Sequence, residues 1–182
     1  DGRIQLLTRG KSTHGAMPHT GVNATWEMFR ALSACLPDDK TLAFVAEKMC
    51  RDVNGKAWGF PLEDEVSGKI THSIGVVSLK NGNLKIKLDV RYPVTYKDSF
   101  VAEAMKKNSI DSFKIEEGHI KQPLHVDADS PLVKGLLEVY NKEMSCDAKP
   151  IAIGGGTYSR MLPMCVAFGP SFPGDTQVIH EI

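Results

Sequence analysis

Hydrophobic positions recur along the chain with two periods, and each change of period marks a new element. Residues 3–9 (Arg-Ile-Gln-Leu-Leu-Thr-Arg) read as a strand, and a loop punctuated by glycine and proline runs from Gly10 to Gly21. Met28, Phe29, Leu32, Cys35 and Leu36 then fall at helical spacing, with Thr20 or Asn23 available as a cap and Pro37 as a stop. A second helix is expected from Asp38 or Asp39, because Leu42, Val45, Ala46, Met49 and Val53 share one face, and Asn54-Gly55 ends it.

Residues 70–79 and 83–92 give the clearest hairpin, since Asn81-Gly82 supplies the two left-handed positions of a type I′ turn. In its second strand Leu84, Ile86, Leu88 and Val90 alternate with Lys85, Lys87, Asp89 and Arg91, so one face is apolar and the other charged. Pro93 closes that strand. A helix near 98–108 and a strand near 113–120 complete the order strand, helix, strand, strand, helix, strand, which is ferredoxin-like.

From residue 121 onward the pattern changes. Ser130-Pro131 combines a cap with proline at the first helical position, and Val133, Leu136, Leu137, Tyr140 and Met144 line one face of the helix it opens. Pro150-Ile-Ala-Ile and Cys165-Val-Ala-Phe read as short buried strands on either side of Gly154-Gly155-Gly156, as in part of an α/β layer. The expected fold class is therefore α/β in the broad, α+β sense. The expected domains are residues 1–120, a ferredoxin-like unit, and 121–182, an incomplete α/β segment.

Composition narrows the partners. With 22 Lys+Arg against 22 Asp+Glu, the 182-residue chain has no net charge and lacks the basic footprint of a nucleic-acid or anionic-lipid binder. No apolar run approaches the roughly 18 residues of a membrane-spanning helix. The four cysteines form no C-x-x-C pair or dense scaffold, which fits a reducing, cytoplasmic setting. The chain begins at Asp1 rather than Met, so a piece of something longer is expected.

Several motifs carry candidate chemistry, and each has a plain structural alternative. Three successive glycines, 154–156, let backbone N–H groups approach a carboxylate or phosphate, or simply make a tight turn. No Lys-Ser/Thr follows them at P-loop spacing. His14 lies in the loop Gly10-Lys-Ser-Thr-His-Gly-Ala-Met-Pro18, where an imidazole can donate to a developing oxyanion or stabilise its own loop. Arg91, at a strand end, suits bidentate capture of a carboxylate or a surface ion pair. His180, beside Glu181, can ligate zinc, although one ligand makes no site. His19, His72, His119 and His125 show no metal-ligand spacing and read as structural or exposed, and Glu63-Asp64-Glu65 reads as a solvated turn.

In order, Gly10-Lys-Ser-Thr-His14-Gly-Ala-Met-Pro18-x-x-Gly21-x-Asn23-Ala24, Val90-Arg91-Tyr92-Pro93, Asp129-Ser-Pro-Leu-Val133, Ile153-Gly-Gly-Gly-Thr-Tyr-Ser-Arg160, Val166-Ala-Phe-Gly169 and His180-Glu181 resemble the di-zinc exopeptidase superfamily of aminoacylase, carboxypeptidase G and carnosinase. The match is nearest to its peptidase V-type dipeptidase branch. The resemblance implies a lid domain over residues 1–120 and the trailing part of a zinc-binding catalytic domain over 121–182. It also implies hydrolysis of dipeptides with a free C-terminal carboxylate. His14 would then be the catalytic oxyanion donor. Arg91, Gly155, Gly156 and Asn23 would bind substrate, and His180 would be one zinc ligand.

The family's other metal ligands, a His-x-Asp segment and paired glutamates, have no counterpart in this sequence. The cofactor would be two zinc ions held mostly by donors outside the chain, which is expected to be inactive alone. The expected partners are a dipeptide substrate, no nucleic acid and no membrane, with a monomer or a homodimer through the lid. A non-catalytic dimerisation or binding module, and an amidohydrolase of aminoacylase or deacylase type, remain alternatives.

Overall fold

The computed structural model describes Gly2, residues 4–169 and Phe172. It divides into two compact units, Asp1–Ile120 and Lys121–Ile182. Helices and small antiparallel sheets make the class α+β.

In the first unit, helix α1 (Ala24–Cys35) is capped by Asn23, whose side chain accepts from the Thr25 N–H. Asp39 caps the short α2 (Lys40–Phe44) through the N–H groups of Thr41 and Leu42. The chain then widens into a π-helical turn, Val45–Met49, so the second helix is present but shorter than its apolar pattern predicts. A small hairpin, β1 (Glu63–Asp64) with β2 (Gly68–Lys69), precedes the long one, β3 (Thr71–Lys80) with β4 (Asn83–Arg91). Helix α3 spans Asp98–Lys107.

The long hairpin forms as its turn requires, with Asn81 and Gly82 at φ 50° and 77°. Its register pairs His72 with Val90, Ile74 with Leu88 and Val77 with Ile86, and a bulge falls between Ile74 and Val76. The inserted residue moves the inward positions of β3 from even to odd numbers. The core gathers Phe29, Phe44, Val45, Met49, Cys50, Trp58, Phe60, Ile70, Ile74, Val101 and Met105, with Leu84, Ile86, Leu88 and Val90 packed against it.

The four-stranded ferredoxin-like sheet expected from the pattern is not formed among the described residues, which hold two separate two-stranded sheets. In 113–120, Phe113 and Ile115 pack on the core while Lys114 and Glu116 stay exposed, so the alternation survives without a ladder. Period two fixes which side chains face inward and leaves backbone pairing to a neighbour. Among the described residues, 4–9 have no such neighbour, and Ile4 and Leu7 stand 96% and 72% exposed.

In the second unit, helix α4 (Pro131–Met144) is capped by Ser130, whose hydroxyl accepts from the Val133 N–H, and ends at Ser145 in a left-handed conformation. Val133 is buried, whereas Met144 is exposed. The expected strands at 150–153 and 165–168 are extended but unpaired among the described residues, and Ile151 and Ile153 are exposed. A central strand of an α/β layer needs partners on both sides, and none of the described residues pairs with these segments.

Candidate functional site

The loop that carries His14 is closed by an isolated bridge between Lys11 and Val22, with N–H to O=C distances of 2.9 and 3.0 Å. Its glycines allow that closure. A Cβ at Gly10 would lie 2.3 Å from the Val22 carbonyl oxygen, and one at Gly21 would lie 2.7 Å from that of Lys11. Inside the loop the Met17 N–H donates to the His14 carbonyl at 2.8 Å, a 3-10 turn follows at Pro18–Thr20, and the hydroxyls of Thr13 and Thr20 bond each other.

The His14 ring is half-buried, and its Nδ1 accepts from the Ala16 backbone N–H at 3.2 Å. An accepting Nδ1 carries no proton, so the neutral imidazole holds its proton on Nε2 and is a donor there. That is the tautomer an oxyanion stabiliser requires.

Asn23 fastens the far end of the loop. Its Oδ1 accepts from the Thr25 N–H at 3.0 Å and its Nδ2 donates to the Ile74 carbonyl at 2.9 Å, beside the bulge in β3. Both ends of its amide are thus engaged in holding loop, helix and strand together.

Arg91 stands at the end of β4 on the polar face. Its Nε and Nη2 donate to Oδ1 and Oδ2 of Asp89 at 3.1 and 3.0 Å, a side-on bidentate pair on the same face of the strand. Gly15 covers this pair closely: a Cβ there would lie 2.7 Å from Asp89 Oδ2 and 3.1 Å from Arg91 Nη2. The fold therefore brings His14's neighbour in sequence against both Asp89 and Arg91. Asp89 was not singled out from the sequence, although its position two residues before Arg91 on an alternating strand is the signal that would have found it.

Gly155 and Gly156 belong to the second unit, where Gly155 is half-buried and Gly156 is exposed, with the Arg160 guanidinium 3.0–3.2 Å from where a Cβ on Gly156 would sit. His180 lies outside the described residues. Among the described residues no three His, Cys, Asp or Glu side chains come together in a way that could hold a metal ion. This donor set does not fit a zinc centre by itself. No helix among the described residues is long and apolar enough to cross a membrane.

No family model matches the chain. It is 36% identical over 185 residues to "Putative dipeptidase YtjP" of Bacillus subtilis, covering all of this chain and 40% of that relative. It is 31% identical over 189 residues to "Putative dipeptidase MW1694" of Staphylococcus aureus, covering 99% of this chain and 39% of the relative. The chain thus spans about two-fifths of the length of the curated relatives it matches.

Proposed function

We propose that these residues form part of a dipeptidase, and that the whole protein hydrolyses dipeptides bearing a free C-terminal carboxylate. The observation that carries this reading is identity at 36% running through the whole chain with a relative named for that activity. The loop and strand chemistry supports it. His14, with Nδ1 committed to Ala16, is a proton donor through Nε2, suited to the oxygen of a tetrahedral intermediate. Arg91, oriented by Asp89, is a guanidinium suited to a carboxylate. From the second unit we assign Gly155 and Gly156 to substrate binding through backbone N–H groups.

Zinc dependence is part of the proposal and comes from the family resemblance. The metal would supply an activated water, and the donors for it must come largely from outside the described residues, with His180 as one of them. The lid role of residues 1–120 and the cytoplasmic setting are proposed on the same ground.

The test has two arms. Supplied with excess Zn²⁺ and Ala- or β-Ala-containing dipeptides, the 182-residue chain should show no turnover, because its described residues hold no metal-binding set. A protein of the relatives' length that contains these residues should cleave dipeptides and leave the corresponding dipeptide amides intact. Turnover by the short chain would sink the reading that it is a part. Equal cleavage of the amides, or cleavage of N-acyl amino acids in preference to dipeptides, would sink the dipeptidase assignment.

A further inference from the structure

His72 is a deeply buried ionisable side chain that the proposed chemistry leaves unused. It is 1% exposed, and neither ring nitrogen has a hydrogen-bond partner among the described residues. Its ring packs edge-on to Trp58 at 5.7 Å between centroids and tilted against Phe60 at 5.8 Å. Those two aromatics belong to the loop of residues 50–60 and to the buried core, and hydrogen bonds tie that loop to the start of β3. The His72 backbone N–H donates to the Val53 carbonyl, and the Asn54 side chain donates to the Ile70 carbonyl, both at 2.8 Å.

A neutral imidazole can remain in such a setting as a flat, largely apolar ring. An imidazolium cannot do so cheaply, because burying a charge without a partner is strongly unfavourable. Asp52 is the charge that reaches His72. Its carboxylate is held in its own loop by the N–H groups of Asn54, Lys56 and Ala57 at 2.8, 3.0 and 2.6 Å, so it is not available to close on the ring. Val90 across the ladder, and Trp58 and Phe60 in the loop, carry no titratable group.

We propose that His72 is an acid-sensitive latch: while neutral it seals the 50–60 loop onto the hairpin, and on protonation it leaves the aromatic cage and the loop lifts away. Burial holds the His72 pKa below its ordinary value, against the opposing pull of Asp52, which agrees with a ring that stays neutral while the loop is closed. The sign follows. The open chain binds a proton near pH 6.5 and the closed one does not, so the closed state is fully favoured above that pH and loses ground as pH falls below it. The latch backs the strand pair of the candidate site, because the Thr71 and Arg91 rung lies next to that of His72 and Val90.

The test uses the 182-residue chain and its His72→Phe variant, in which a ring of similar shape fills the cage without titrating. Urea unfolding between pH 8 and pH 5 should show the wild type losing up to about thirtyfold in folding constant beyond any loss in the variant. Hydrogen exchange at residues 50–60, corrected for intrinsic rates, should quicken at pH 5.5 in the wild type alone. Identical pH dependence in the two proteins would overturn the proposal. Should the variant fail to fold, the His72 ring resonance decides: titration near pH 6.5 with the 50–60 amides still protected rules the latch out, whereas titration only together with their exposure supports it.

Discussion

Asp64 shows how much one carboxylate organises. Its Oδ1 accepts from the Ser67 N–H and hydroxyl, and its Oδ2 accepts from the Thr95 N–H and hydroxyl. Burial pushes its carboxyl up, but these four bonds more than offset that and bring it down to about 2. The acidic run 63–65 does read as a turn in the sequence. The bonds to Thr95, 31 residues away, could not be read there, since they depend on the chain returning. Asp64→Ala should lower stability by about 1–2 kcal/mol at neutral pH, measured by urea unfolding. Because the folded pKa is depressed, that difference should persist above pH 4 and fade as pH falls toward 2.

The cysteines give a second test at this scale. Burial drives the Cys50 thiol up to about 12, with nearby Arg30 pulling it down and Glu27 pushing it further up, whereas Cys35 and Cys146 are exposed. The thiolate is the reactive form. Iodoacetamide at pH 8 should therefore label Cys35 and Cys146 readily and Cys50 only after denaturation, as peptide mass mapping would show. Rapid labelling of Cys50 in the folded chain would contradict its placement.

At the scale of elements, legibility followed the range of the interactions. Helix α1, the Ser130 cap and the Asn81-Gly82 turn are specified by residues within a few positions of one another, and each stands where the pattern put it. The expected strands at 3–9, 113–120, 150–153 and 165–168 rest on pairing with distant segments, and alternation alone does not supply a partner. The candidate site divides in the same way. The glycine-rich loop and Arg91 were legible as motifs, whereas Asp89's grip on Arg91 and the cover given by Gly15 emerge only when loop and strand meet. The loop itself is open to test. Gly10→Ala would drive a Cβ into the Val22 carbonyl, so the Lys11 and Val22 bridge should open at a cost of about 1–3 kcal/mol. Faster amide exchange at Lys11 and Val22, with the long hairpin still protected, would be the signature, and unchanged exchange at both would argue against the closure.

Across the whole molecule, burial is unevenly shared. All eleven residues of the buried core cluster lie between Phe29 and Met105, inside the first unit. In the second unit only Val133 and Ser159 are buried among the described residues, while Met161, Leu162, Met164 and Phe168 are exposed. Apolar burial is the main favourable term in folding and must offset roughly 1–2 kcal/mol of backbone entropy per ordered residue. The first unit has the aromatic and aliphatic contacts to meet that cost, and the second, described by itself, has few. A polypeptide of residues 1–120 should therefore unfold in one cooperative transition, whereas one of residues 121–182 should show none and should bind a hydrophobic dye without heating. Calorimetry and dye fluorescence on the two pieces would check this. A sharp transition in 121–182 would mean that this segment is not short of a core despite its exposed apolar residues.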